Sequence, residues 1–260
     1  MESIRKYGHK PFSIAVIHGG PGAAGEMAPL ARELSGAGGV LEPLQTAVTL
    51  EGQVQELRAV LEESGSLPAI LVGFSWGATL GYILAARYPA LVRKLILVGS
   101  PPFDQEYAAG IMETRLSRLS QQAGSEVASL MAALEDPATP DKDALFARLG
   151  ELMAGADSYE PVSQESEILE YRYDIYRGVW PQAAELRRSG ALLELGERIR
   201  CPVVAIHGDY DPHPAAGVKE PLSRVLKDFH FILLKNCGHY LWRERQARDE
   251  FYGTLLALVS

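Results

Sequence analysis

Leu71-Val72-Gly73-Phe74-Ser75-Trp76-Gly77 joins two kinds of sequence pattern. The apolar, β-branched run from Ala69 to Val72 reads as a buried strand, and the alanine-rich segment from Ala78 to Arg87 reads as a helix. Between them Gly-x-Ser-x-Gly imposes a sharp strand-to-helix turn, the form of a nucleophile elbow. The flanking glycines are required because Cβ atoms beside so tight a turn would collide with adjacent elements, and the strained turn pushes the serine oxygen above the sheet. The same five-residue pattern also occurs as a plain turn, so its chemistry depends on partners elsewhere in the chain.

Upstream, Ser13 to Ile17 is a short buried-strand pattern ending at His18-Gly19-Gly20-Pro21-Gly22, and Met27 to Leu34 then reads as a helix. A glycine-rich exit places bare backbone N–H groups at the carboxyl end of a strand, where ligands of open α/β sheets bind and an oxyanion can be held. A phosphate loop does not match, because neither a Gly-Lys-Ser/Thr ending nor GxGxxG spacing is present. Val40 to Leu44 is a strand pattern broken by Pro43, which suits an edge or a bulge. Leu50 to Glu63 follows as a helix with Val54, Leu57 and Leu61 on one face.

Downstream, Leu95 to Val98 is another buried strand, closed by Gly99-Ser100-Pro101-Pro102. Strands and helices alternate up to this point, which predicts an α/β fold with a mostly parallel sheet flanked by helices. The alternation then stops. Ile111 to Gln122, Glu126 to Leu134, Lys142 to Met153 and Gln164 to Arg177 are helical patterns with no strand among them. Val203 to His207 and Phe229 to Leu234 resume the strand pattern, and Leu241 to Leu258 supplies a last helix. The predicted organisation is a core of residues 1–103 and 197–260 with a helical cap, or lid, at 104–196.

Gly208-Asp209-Tyr210-Asp211-Pro212 follows the first of these late strands, and Asn236-Cys237-Gly238-His239 follows the second. An acid and then a histidine at successive strand exits, downstream of the elbow serine, form a chemically coherent set. A serine hydroxyl is a poor nucleophile at neutral pH; an imidazole must take its proton, and a carboxylate must fix the imidazole tautomer. Ser75, His239 and Asp211 are the expected residues for these roles. Asp209 and Asp104 are alternative acids, and each of these positions also has a plain turn reading. The run His207-x-Asp209-x-Asp211-x-His213 offers four metal-ligand types, but alternation across a strand end and a proline turn does not aim four side chains at one point. No metal and no cofactor are expected.

The composition agrees with an ordinary soluble globular protein. Of 260 residues, 47% are hydrophobic and 22% charged, and a formal net charge of -8 argues against a nucleic-acid or anionic-membrane partner. No apolar run reaches the roughly 18 residues of a membrane span, and the first residues lack a secretory signal, so a cytoplasmic protein is expected. The two cysteines, Cys201 before one strand and Cys237 after its neighbour, would lie about 17 Å apart along parallel strands. Bridging requires Cα atoms within about 7 Å, and no disulfide is predicted.

With the elbow and the Ser, Asp, His order in place, the chain resembles the α/β-hydrolase superfamily over nearly its whole length. His18-Gly19-Gly20-Pro21-Gly22 together with Ser75-Trp76-Gly77 resembles the prolyl aminopeptidase branch. The resemblance implies an oxyanion hole made by the backbone N–H groups of Gly20 and Trp76. It also implies substrate contacts from Gly19 and from cap residues, for which Glu167, Glu170 and Tyr173 are candidates alongside Glu165. Two departures stand out. Where prolyl aminopeptidases carry Asp-x-Arg-Gly-x-Gly-x-Ser, this chain reads Glu42-Pro43-Leu44-Gln45-Thr46, and Phe74 replaces the glycine before the elbow serine. Too few residues precede Ser13 for the usual amino-terminal hairpin. The expected activity is therefore cleavage of a small ester or amide through an acyl-enzyme. Short peptides are the alternative substrates, and a ligand receptor or a lyase on the same scaffold is the alternative from another class.

Overall fold

Residues 3–163 and 167–260 are described by the computed structural model. Seven strands form one sheet: β1 (Ile4–Tyr7), β2 (Phe12–Ile17), β3 (Gly39–Pro43), β4 (Ala69–Phe74), β5 (Val92–Val98), β6 (Val203–Gly208) and β7 (Phe229–Leu234). Their spatial order is β1-β3-β2-β4-β5-β6-β7, parallel throughout except for β1 against β3. Chain order reverses between β2 and β4. At such a switch point the loops leaving two adjacent strands diverge to opposite faces and open a crevice at the carboxyl ends. The glycine-rich loop after β2 and the elbow after β4 are the walls of that crevice.

The strands alternate between two buried layers with a period of two. Leu71, Leu95 and Leu97 face one layer, with residues of α2 (Leu50–Ser64) and α3 (Trp76–Arg87). Ile70, Val72, Phe74, Ile96 and Val98 face the other, with α1 (Ala28–Leu34) and α11 (Arg248–Val259). Burial on both faces explains why these strands read as continuous apolar runs rather than as alternating ones.

Between β5 and β6 the described residues form no strand of the sheet, and the α-helices there are α4 (Gln105–Ala108), α5 (Ile111–Ser117), α6 (Gln121–Glu135), α7 (Lys142–Asp157), α8 (Tyr173–Arg188) and α9 (Ala191–Glu194). α10 (Ala216–Val225) connects β6 to β7 and was not evident in the sequence, where Gly217 and Pro221 interrupt it. No helix among the described residues is long and apolar enough to cross a membrane. Both cysteines are free.

Several boundaries differ from the sequence expectation. The helix expected over Gln164 to Arg177 begins only at Tyr173, and Gln164, Glu165 and Ser166 lie outside the described residues. The segment before α8 is instead tied to the glycine loop, Leu169 N–H donating to Ala24 O at 2.9 Å and Arg172 N–H to Gly22 O at 2.8 Å. Asp143 Oδ1 then accepts from the Tyr173 N–H at 2.7 Å, starting the helix there. The break expected after Gln122 falls earlier, because Ser120 Oγ accepts from the Ala123 N–H and caps α6. Pro43 sits neither at an edge nor at a bulge: β3 is flanked by β1 and β2, and Pro43 is its last residue, opposite Ile4. The strand β1 was not expected at all. The last helix is split into a single turn, Leu241–Arg243, and α11, because the backbone between them turns Glu244 inward.

Candidate active site

Ser75 sits between β4 and α3 at φ 49° and ψ -113°, a backbone geometry that L-residues avoid. The turn is held by its own N–H, which donates to Val98 O of β5 at 2.9 Å. Gly73 and Gly77 are irreplaceable: a Cβ on Gly73 would overlap Gly77 O, and one on Gly77 would overlap Ile17 O of β2. Trp76 is the first residue of α3, so its N–H has no intrahelical acceptor. Its indole donates to Gln53 Oε1 at 2.8 Å, which locks the helix start against α2. Gly20, at φ 39°, faces the same crevice from the loop after β2.

His239 Nδ1 lies 2.7 Å from Asp211 Oδ2, and both side chains are buried. Burial opposes ionisation of Asp211, but the charges of His239, His213 and His207 outweigh it and hold the carboxyl well below its usual range. Burial likewise pulls the His239 imidazole down, and Asp211 outweighs that, leaving its pKa raised. An ionised carboxylate only accepts hydrogen bonds, so Nδ1 of His239 carries the proton and Nε2 is left bare as a base when the ring is neutral.

The second oxygen of Asp211 is also occupied. Oδ1 accepts from the His213 N–H at 2.9 Å, an Asx turn, and lies 2.8 Å from His213 Nδ1. Burial drives the His213 pKa down to about 4, so this ring is neutral at neutral pH. His207 Nε2 donates to His213 O at 2.8 Å and braces the turn from beneath. Of the four metal-ligand types in this run, Asp209 departs: it takes the Cys237 N–H at 3.3 Å and Lys235. Asp211, His213 and His239 do converge, their ligand atoms within 4.8 Å of one another. Each Nδ1 is already spent on a carboxylate oxygen, which makes the cluster a hydrogen-bonded relay. Asp104 is remote from it and pairs with Arg224.

Ser75, His239, His213 and Gly20 line one cavity of about 330 Å³. Its apolar wall comes from the helices between β5 and β6: Met112, Met131, Phe146, Leu149, Met153 and Trp180. Its polar wall includes Glu26, Arg115 with Asp157, Tyr240 and Arg243. A larger open depression of about 790 Å³, around Asp141, Asp143 and Arg177, holds none of Ser75, Asp211 and His239.

Four expected substrate contacts lie off this cavity. Gly19 is buried behind it, its N–H donating to Glu26 Oε2 at 3.1 Å. Glu167 forms an ion pair with Arg32, and Glu170 lies 3.8 Å from Arg172. Tyr173 stands one layer back, its ring 5.7 Å from Phe146, which lines the cavity in its place. The helix expected over Gln164 to Arg177 does not carry Glu167 and Glu170, because the described chain before Tyr173 is not helical.

Two residues that the sequence did not disclose hold the His239 loop. Asp157, the last residue of α7, accepts two bonds from Arg115 at 2.7 and 2.6 Å, and its carbonyl accepts the His239 N–H at 2.8 Å. Glu244, fully buried, accepts from the N–H groups of Gly238, Tyr159 and Glu160 at 3.1, 2.9 and 2.8 Å. Removing that carboxylate leaves one buried and two part-buried donors unpaired. Glu244→Ala is expected to cost about 3–5 kcal/mol and Glu244→Gln less than half of that. Urea denaturation checks it, and an alanine variant within about 0.5 kcal/mol of the parent would show that Glu244 does not hold the loop.

The alpha/beta hydrolase fold family matches residues 14–242. Human monoacylglycerol lipase ABHD6 is 24% identical over 207 residues, covering 76% of this chain and 58% of the relative, so the chain spans little more than half of that protein's length. Pimeloyl-(acyl-carrier protein) methyl ester esterase of Neisseria meningitidis is 24% identical over 205 residues, covering 76% of this chain and 69% of the relative. The solved structure of a proline iminopeptidase from Mycobacterium smegmatis superposes with a TM-score of 0.62 at 17% identity, covering 98% of this chain and 93% of that one, a likeness of fold alone. With the family matched from β2 to the loop beyond His239, and the sheet order and elbow geometry in agreement, the chain belongs to the alpha/beta hydrolase family.

Proposed function

We propose that the protein is a serine ester hydrolase that acts on small esters with an apolar acyl chain. The observation that carries this reading is the strained Ser75 at the wall of a cavity shared with His239, whose ring is oriented by a buried Asp211 at 2.7 Å. In this mechanism the bare Nε2 of His239 takes the Ser75 proton as Oγ attacks the ester carbonyl. The N–H groups of Gly20 and Trp76 hold the resulting oxyanion, His239 returns the proton to the departing alkoxide, and water then releases the acyl group by the same steps. Asp211 keeps its negative charge throughout and stabilises the imidazolium.

The apolar wall supports an acyl chain rather than a charged amine. Met112 and Met131, 37% and 44% exposed, present flexible thioethers at the cavity. The relatives named for lipase and methyl esterase activity are consistent with ester chemistry. The aminopeptidase reading needs carboxylates converging on a substrate ammonium, since an unpaired buried charge costs several kcal/mol. Its two candidates, Glu167 and Glu170, are paired with arginines off the cavity.

Expected results follow for a series of p-nitrophenyl esters. kcat/KM rises by about fourfold per added methylene, from about 0.8 kcal/mol per buried CH₂, until the cavity is full. A hexanoate ester is turned over at least about a hundredfold better than proline p-nitroanilide. A clear preference for the anilide makes the protein an aminopeptidase, and absence of turnover across esters, thioesters and amides would favour the receptor reading.

A further inference from the structure

The charged groups around the cavity are unequally satisfied. Arg115 is neutralised by two bonds to Asp157, and Glu151, largely exposed, is paired with Arg148. Arg243 has no such partner. Among the described residues no carboxylate forms an ion pair with its guanidinium, its Nε is buried without a hydrogen bond, and its guanidinium lies over the face of the Tyr240 ring, 5.4 Å from the centroid. Its backbone is fixed, with Arg243 N–H donating to Tyr240 O at 2.8 Å and Arg243 O accepting from the Val162 N–H at 2.7 Å. A cation held in a cavity wall, four residues after His239, with Glu26 near enough to feel its charge but no carboxylate in an ion pair with it among the described residues, is a site prepared for an anion.

We propose that Arg243 anchors a subsite for a carboxylate on the ester substrate, with Glu26 beside it screening what the subsite accepts. The inference deepens the ester-hydrolase reading and rests on it. A guanidinium presents a planar fork of donors that a carboxylate matches with two oxygens, and the pairing strengthens in a cavity from which water is excluded. Glu26 is the charged side chain of this wall that, like Arg243, has no ion-pair partner among the described residues. One of its oxygens is held by the Gly19 N–H, and it lines the same cavity. Burial raises its pKa to about 7, against the charges of Arg243 and His239, while Glu42 adds to the rise. The groups whose charge reaches it are therefore Arg243, His239, Glu42 and the phenol of Tyr240. A carboxylate arriving at Arg243 replaces Glu26 as the nearby anion, and Glu26 takes up a proton to admit it. Binding of the carboxylate is thus strongest below pH 7 and weakens as pH rises and Glu26 ionises.

The test uses matched esters that differ by one charge. On the acyl side these are mono-p-nitrophenyl adipate and its methyl-capped diester; on the leaving-group side they are 4-carboxyphenyl hexanoate and phenyl hexanoate. The wild type is expected to favour the carboxylate member of one pair by about ten- to a hundredfold in kcat/KM, the range of a charge-assisted hydrogen bond. In Arg243→Met that ratio falls to near one or below, and in Arg243→Lys it is intermediate. With adipate as a competitive inhibitor of the neutral ester, inhibition by the wild type weakens from pH 6 to pH 8, and Glu26→Gln removes that part of the dependence which His239 does not account for. Fluorophosphonate labelling of wild-type Ser75 reports on the nucleophile separately. Labelling without a carboxylate preference in either pair, or a preference that survives in Arg243→Met, overturns the subsite and leaves the hydrolase reading intact; loss of labelling overturns the hydrolase reading itself.

Discussion

Ser75→Ala is expected to abolish fluorophosphonate labelling and to lower ester turnover by about a millionfold, the scale seen when a serine nucleophile that works as a unit with its base is removed. The fold should hardly respond. The Ser75 hydroxyl makes no hydrogen bond within the protein among the described residues, and alanine adopts the same backbone at the same cost, so Tm should move by no more than about 2 °C. The elbow offers a second and sharper reading. A non-glycine residue at φ 49° and ψ -113° carries strain of about 1–3 kcal/mol, and glycine relieves it. Ser75→Gly should therefore be more stable than Ser75→Ala by about 1 kcal/mol, after discounting the entropy that glycine loses on folding. Equal labelling of the alanine variant would remove Ser75 as nucleophile. Equal stability of the two variants would show that the elbow stores no strain.

Asp211→Asn is expected to lower kcat by about four orders of magnitude, as loss of the orienting carboxylate does in a serine–histidine site. The amide retains the shape and loses the charge. An asparagine presents one oxygen and one NH₂ to two imidazoles that both need an acceptor, so at least one ring must change tautomer. If that ring is His239, its Nε2 is protonated and cannot take the serine proton. The pH profile supplies the sign. The wild-type rate rises as His239 deprotonates, and because Asp211 raises the His239 pKa, that limb lies above the ordinary imidazole value of about 6.5. Without that charge burial is the largest influence left, with Asp157 and Arg115 acting in opposite directions, and the residual activity of the variant should rise at a lower pH. Asp209→Asn and Asp104→Asn touch the Cys237 N–H with Lys235, and Arg224, and should change kcat by less than about tenfold. A severe effect at Asp104, or an unshifted profile in Asp211→Asn, would assign the acid elsewhere.

What could be read from the sequence is what local chemistry dictates. Gly-x-Ser-x-Gly between an apolar run and an alanine-rich segment has few backbone solutions, and the glycines at 73 and 77 are required by contacts within the turn and with the neighbouring strand. Uninterrupted apolar strands announced a sheet covered on both faces, and an acid and a histidine just past successive strands were bound to meet at one end of it. The Asp211 to His239 bond follows from that topology. His213 was in view only as a metal ligand. Its place beside Asp211 turns on the proline-flanked Asx turn, a geometry in which the i+2 N–H returns to the carboxylate.

What the sequence left open was decided by contacts between residues far apart in the chain. Glu244 binds the backbone of Tyr159 and Glu160, more than eighty residues away, and Asp157 holds the His239 N–H from the end of α7. Neither has a signature of spacing or composition. Glu167 and Glu170 looked helical by their own periodicity, but the backbone from Leu169 to Arg172 bonds to the glycine loop instead, and tertiary hydrogen bonds outweigh a helix propensity of a few tenths of a kcal/mol per residue. Local pattern thus determined the fold family and which residues stand at the strand ends. Long-range packing alone decided which side chains face the cavity, because a side chain becomes a wall or a charge in a cavity only through what the rest of the chain places opposite it.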